Sequence, residues 1–210
     1  MQVLKDSVKK SILSAAKKEF RRKGYSAASL RIIAGDAGIT VGNMYRYFTN
    51  KENLFETLIE PVLNEINKHL AEHEDFHNSC IKNYDEFQKI HESKMDFLFW
   101  FIRNFKDEFI ILMEGSQGSK FENRGEILTS WIKNHTYTQL KNWYVNEDDE
   151  WVHLFALAIS RSFMEGLMEI IKNSENFDTI ISVLKSFSES FNTGFERYII
   201  NKPADAAKNC

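Results

Sequence analysis

The chain has 210 residues, 43% of them hydrophobic, with nine glycines, two prolines and a formal net charge of −3. It shows no tandem repeat, low-complexity tract or alternating strand pattern, and two cysteines, Cys80 and Cys210, make no disulfide framework; they suit a reducing cytoplasm. No apolar run reaches the ~20 residues of a membrane span, and the first apolar stretch is too short for a secretion signal.

Apolar residues at helical spacing then predict an all-α chain of about nine helices. The first runs from Asp6 to Lys23, with Val8, Ile12, Ala16 and Phe20 as its stripe and Gly24 as its stop. Residues 29–48, SLRIIAGDAGITVGNMYRYF, read as two short helices around a tight turn. Leu30, Ile33, Ala34 and Ala37 give the first of these an apolar face. Gly38 ends it by allowing a left-handed backbone, and Thr40 stands where an N-cap is needed. The second buries Met44 and Phe48 and turns Val41, Asn43, Tyr45 and Tyr47 elsewhere. An amide, hydroxyls and a methyl-bearing side chain on a short exposed helix suit the reading of a DNA groove, so the pair is a helix-turn-helix.

Asn50 caps a fourth predicted helix from Lys51 towards Glu74, with a kink or stagger expected at Pro61. A polar connection, 75–84, leads to a fifth helix ending near Arg103 and a short sixth ending at Met113. The loop 115–119 precedes a seventh helix over 122–143. The acidic run Glu147–Glu150 opens an eighth, where negative charge favours a helix N-terminus. A ninth ends near Ile200. The expected division is a helix-turn-helix domain over 1–50, a larger helical domain over 51–201 and a flexible tail over 202–210.

Charge is divided unevenly. Residues 1–51 hold eleven basic side chains against Asp6, Glu19 and Asp36, a local charge of +8 that leaves −11 on the other 159 residues. A basic head on an acidic body places one end on phosphate and keeps the other off it. The same lysines also serve as the solvated face of an amphipathic helix.

The last two predicted helices are unusually apolar. In 150–172 only Arg161, Glu165, Glu169 and Lys172 form a polar strip, and the ninth repeats Ile180, Leu184, Phe187, Phe191, Phe195 and Tyr198. A helix that apolar must be covered on more than one side. Burial in one chain's core accounts for this, and so does a two-fold dimer joined by Phe155, Ile159, Phe163, Leu184, Phe187, Phe191 and Phe195. Two reading helices held about 34–36 Å apart, or a multiple of that, would read a palindrome.

Residues 11–58 resemble the DNA-binding domain of the tetracycline-repressor (TetR) family of bacterial transcription regulators. The resemblance rests on I-x-x-A-A-x-x-x-F-x-x-x-G-Y, from Ile12 to Tyr25, and on I-A-x-x-A-G-I-T-x-G-x-x-Y-x-Y-F-x-x-K-x-x-L, from Ile33 to Leu54. It covers about a quarter of the chain. It implies a homodimer on palindromic double-stranded operator DNA, released when a small molecule enters the C-terminal domain, with no cofactor. Carried over by position, it puts the Ser29 hydroxyl and N–H on phosphate, Arg31 on a guanine edge or phosphate, and Thr40 on phosphate. Val41 would meet a thymine methyl, Gly42 would let the backbone approach, and Asn43 would bond a base edge. Tyr45 and Tyr47 would hold the DNA backbone and Lys51 would add charge; Arg46 ranks lower.

The effector is expected to be hydrophobic, since aromatics are dense between 97 and 163. Trp100, Phe101, Asn104, Phe105, Trp131, Tyr137, Phe155 and Phe163 are the candidate lining, though such stripes also build ordinary core. His69, His73, His77 and Cys80 have the spacing of metal ligands, but they lie at an expected helix end among acids, and no metal is assigned to them. No phosphate-cradling glycine motif, nucleophile elbow or paired carboxylates suggest an enzyme. A nearer alternative is a DNA-binding protein of the same kind governed by a protein partner.

Overall fold

The computed structural model describes residues 2–74, 84–143 and 147–200, with side chains over 5–72, 85, 88–141 and 147–192. Among these residues there is no strand, and eight helices follow in order: α1 (Gln2–Ala27), α2 (Leu30–Asp36), α3 (Val41–Met44), α4 (Lys51–Glu74), α5 (Tyr84–Glu114), α6 (Arg124–Trp143), α7 (Asp149–Lys172) and α8 (Phe177–Ile200). The expected fifth and sixth helices are one element, α5. The boundary between them survives as a break at Phe105 (φ −134°, ψ 16°). No glycine or proline stands there to end the helix, so a single residue absorbs the change of direction. Pro61 lies inside α4 without ending it. The tail 202–210 and the side chains of Phe195 and Tyr198 lie outside what is described, as do Cys80 and the His73 and His77 side chains.

Packing divides the chain into two units. The first comprises residues up to Lys68 together with Phe105–Glu126; the second comprises His69–Asn104 and the residues from Ile127 onward.

The first unit grows from the α1 stripe. Ile12, Ala16 and Phe20 are fully buried, and so, to 3% exposure or less, are Ile33 and Ala34 of α2, Met44 and Phe48 at α3, and Leu54, Phe55 and Ile59 of α4. Burial of each large apolar side chain contributes roughly 1.5–3 kcal/mol. Phe55 is its aromatic centre, with the rings of Phe20 and Tyr25 each 4.9 Å away and Phe121 at 6.1 Å. Gly24 interrupts α1 at φ 69°. Just past it, the Tyr25 N–H donates to the Gly115 carbonyl at 2.7 Å, and a Cβ on Gly24 would stand 3.4 Å from that oxygen. The loop after α5 is thereby tied to the end of α1. Ion pairs Lys17–Glu108 (2.8 Å) and Arg21–Asp107 (3.9 Å) add to the tie.

The second unit packs Leu140 of α6 against Val152 and Ala156 of α7, with Phe155, Ile159 and Tyr137 closing over them. The Asp148 side chain accepts the Trp151 N–H at 2.8 Å, and Asp149 and Glu150 fill the first turn of α7. The α7–α8 pair is tight because residue 166 is glycine: a Cβ there would lie 2.2 Å from Phe187 Cζ. The Phe163, Phe187 and Phe191 rings form a cluster at 5.0–6.0 Å. Cation–ring contacts link α5 to α8, Arg103 over Phe177 at 4.2 Å and Lys185 over Phe99 at 5.5 Å. No helix among the described residues is long and apolar enough to cross a membrane.

Candidate nucleic-acid interface

The turn between α2 and α3 follows from three residues. Gly38 has φ 71°. Its N–H donates to the Gly35 carbonyl at 3.0 Å, while the Ile39 N–H reaches the Ala34 carbonyl at 2.9 Å. This paired closure satisfies carbonyls that a helix end otherwise leaves bare. Thr40, with extended backbone (φ −83°, ψ 155°), then accepts the Asn43 N–H on its hydroxyl at 3.2 Å. Its own hydroxyl proton stays available to a phosphate.

The helical part of α3 is shorter than the sequence suggests. After Met44 the chain tightens: Arg46 and Tyr47 donate three residues back, to Asn43 (3.1 Å) and Met44 (2.9 Å). Gly42, Tyr45, Tyr47 and Phe48 are poor helix formers, so one turn is followed by tighter turns. Met44 and Phe48 are nonetheless buried, at 1% and 3% exposure. Asn50 caps α4, accepting the Asn53 N–H at 2.7 Å, and the Asn53 side chain accepts the Thr49 N–H at 3.3 Å.

Of the nine candidate DNA contacts, Arg31, Thr40, Gly42 and Tyr45 are exposed; Ser29, Val41, Asn43, Tyr47 and Lys51 are half-buried. Tyr45 stands out at 50% exposure, with Ile32 nearby in sequence at 43%. Ser29 is at the N-cap of α2, but its hydroxyl makes no cap bond. Its N–H does not await a phosphate: it donates to Glu19 Oε1 at 3.2 Å. Lys51 is also engaged within the chain. Its ammonium donates to the Ser26 carbonyl at 3.1 Å and lies 4.7 Å from the Tyr25 ring centroid. Burial lowers its pKa, and the nearby Glu19 carboxylate opposes that shift. Below Lys51, burial and a hydrogen bond to Glu52 push the Tyr25 hydroxyl up to about 12.

Glu19 is the residue beneath this surface that sequence reading missed. It counts there only as an acid opposing a basic head, yet its side chain is 3% exposed. Oε1 holds the Ser29 N–H, and Oε2 accepts Arg22 Nη2 at 2.6 Å and Nε at 3.2 Å. Burial raises its pKa. The Arg22 and Ser29 hydrogen bonds and the charges of Arg22 and Lys23 outweigh that and hold it below its ordinary value. The signal was present: Ile12, Ala15, Ala16 and Phe20 define a stripe on which position 19 also falls. Arg22, Lys17 and Arg21 therefore spend their charge inside the unit, and less of the +8 head faces outward than the sequence implies.

In the second unit, the expected effector lining is dispersed. Trp100 is 45% exposed, and its carbonyl accepts the Asn104 amide at 2.7 Å, whereas Phe101 is 3% exposed in the core. Trp131 stacks on His135 at 5.4 Å, and the Tyr137 hydroxyl donates to Asp149 at 2.6 Å. Phe155 and Phe163 serve core packing. Phe105 marks the break in α5, in the first unit. A cavity of about 580 Å³ includes Trp100 with Phe99, Arg103 and Phe177. A second, of about 610 Å³, lies between α5 and α8. Of the residues expected at the dimer face, Leu184 is fully buried and Ile159 packs on the Leu140 cluster, while Phe187 and Phe191 join the ring cluster. His69 stacks on Phe97 at 3.5 Å.

Comparison with known proteins agrees with the geometry of the first unit. Residues 12–58 match the model of the bacterial regulatory proteins, tetR family. The uncharacterized HTH-type transcriptional regulator YhgD of Bacillus subtilis (strain 168) is 34% identical over 92 residues, 40% of this chain and 48% of that protein. YfiR of the same organism, described in the same words, is 34% identical over 85 residues, 39% of this chain and 42% of that protein. The chain thus spans about half the length of the curated relatives it matches. Among solved structures, NalD of Pseudomonas aeruginosa, described as the secondary repressor of the MexAB-OprM multidrug efflux pump, aligns with a TM-score of 0.50. It covers 88% of this chain and 96% of NalD at 17% identity, a likeness of fold. The helix-turn-helix lies inside the matched segment, so residues 12–58 are similar to the DNA-binding region of the bacterial regulatory proteins, tetR family.

Proposed function

We propose that this protein is a cytoplasmic transcription regulator, a repressor, that binds a palindromic operator as a homodimer and is released by a small molecule held in its second unit. The observation that carries the reading is the α2–α3 turn, where Gly38 and Thr40 set a short helix with Met44 and Phe48 inward and Tyr45 exposed. Two such helices are needed because one touches too few base pairs for specificity. A dimer face is supported by large apolar side chains left exposed one turn apart on α7, Trp151 at 36% and Leu154 at 57%. The residues over 1–50 serve DNA and those over 51–201 serve pairing and effector.

The test is operator binding. After DNA is selected from genomic fragments, Asn43→Ala and Tyr45→Ala are expected to lose specific binding by a hundredfold or more, if each removes roughly 3 kcal/mol of contact. Both variants should retain the wild-type melting temperature, since neither side chain is in the core. Undiminished gel-shift titrations would remove the assignment.

A further inference from the structure

The groove of about 610 Å³ between α5 and α8 gathers acids from both helices beside an apolar wall. Its described lining includes three carboxylates, Glu92, Asp96 and Glu189, against one ammonium, Lys185. His91, also in the lining, adds no charge at neutral pH: burial, and then the charge of Lys94, lower its pKa, while Glu92 and Glu189 act against them. Met95 and Phe99 supply an apolar wall. The Phe99 ring already offers its face to a cation, since Lys185 Nζ lies 5.5 Å from the centroid.

A second feature is independent of the acids. Ser188 lines the groove at 6% exposure. A helical serine commonly turns its hydroxyl onto the carbonyl four residues back, as Ser160 and Ser190 do here at 2.7–2.8 Å. No such bond, nor any other side-chain hydrogen bond, engages Ser188 among the described residues. A buried hydroxyl without a partner costs free energy until something supplies one.

We propose that this groove binds an organic cation with an apolar arm: a protonated amine set against Asp96, Glu189 and the Ser188 hydroxyl oxygen, its hydrocarbon on Met95 and Phe99. Lys185 is the resident cation that the ligand competes with. The volume suits a drug-sized molecule. An anionic ligand of the same shape would add to the negative charge, and a neutral one could meet the hydroxyl but would gain no ionic attraction from the acids. The proposal rests on reading the second unit as the effector-binding part, and it names the chemical class of that effector.

Three probes of one skeleton test it by calorimetry on DNA-free protein: phenylbutylammonium, phenylbutanol and phenylbutyrate. The cation should bind saturably at one site per chain, about tenfold or more tighter than the alcohol, with no uptake of the anion. The Asp96→Asn, Glu189→Gln double variant should lose about tenfold in cation affinity, and Ser188→Ala a few-fold. Lys185→Gln, at an exposed position, should bind the cation a few-fold more tightly, a gain that misfolding cannot produce. Equal binding of all three probes, or cation affinity indifferent to both the acidic and the Lys185 substitutions, overturns the site. Cation binding that leaves operator affinity unchanged upholds the site and removes only the release step. Intact operator binding with no cation uptake removes the site and leaves the DNA reader.

Discussion

At the scale of single residues, Glu19 carries more of the interface than its charge suggests. Glutamine at that position keeps a carbonyl for the Ser29 N–H but loses the charge-assisted bonds to Arg22. Glu19→Gln is expected to lower stability by about 1–3 kcal/mol in urea denaturation. Operator affinity should fall as well, because the N-terminus of α2 is no longer held. The pH dependence has a definite sign. Since the folded-state pKa lies below the ordinary 4.5, the unfolded chain takes up the proton first as pH falls. The stabilisation is fully present above 4.5 and lost below it, down through the folded value. The difference in urea midpoint between wild type and Glu19→Gln should therefore shrink from pH 6 towards pH 3; a constant difference would show the carboxylate to be unlinked. Sequence periodicity places residue 19 on the inner face. What it does not carry is the identity of the partners, because the Ser29 N–H comes from ten positions away, across the break at Gly24.

At the scale of elements, two glycines have opposite reasons for being glycine. At Gly38 a Cβ would find open space, but φ is 71°. Gly38→Ala should then cost roughly 1–2 kcal/mol, the left-handed strain of an L residue, and should disturb α3 directly. At Gly166 the backbone is helical and the obstacle is Phe187, whose ring would lie 2.2 Å from the new Cβ and is itself boxed in by Phe163 and Phe191. Gly166→Ala gains helix propensity but must separate α7 from α8 or displace that ring, a net loss of about 1–3 kcal/mol. Adding Phe187→Leu should recover most of the loss in thermal melts, whereas Gly38→Ala should not respond to it. The turn at Gly38 and the caps at Thr40 and Asn50 are legible in the sequence because they are local, each made by side chains and amides within a few positions. The joining of the fifth and sixth predicted helices into α5 is not, since it turns on one residue's dihedrals at Phe105. The return of 105–126 to the first unit depends on the Tyr25–Gly115 bond and the Lys17–Glu108 pair, each spanning about ninety positions.

At the scale of the whole molecule, folding of the protomer and pairing in the proposed dimer are separable by one exposed side chain. Leu184 and the Phe163–Phe187–Phe191 cluster already have partners inside the protomer, so their replacement would confuse folding with pairing. Leu154 has no such ambiguity at 57% exposure. Leu154→Glu removes an apolar contact at the proposed interface and places an unpaired charge there on each protomer, which destabilises the pair without a cavity in the protomer. Light scattering should then report a monomer whose helical circular dichroism matches wild type. Its operator affinity should fall at least a hundredfold, because each half-site binds alone and the effective concentration of the second reading helix is lost. Binding should stay salt-dependent in the variant, with a slope of log affinity against log salt about half the wild-type value, since half as many phosphates are neutralised. A fully dimeric Leu154→Glu protein with wild-type operator affinity would move the pairing face off this part of α7.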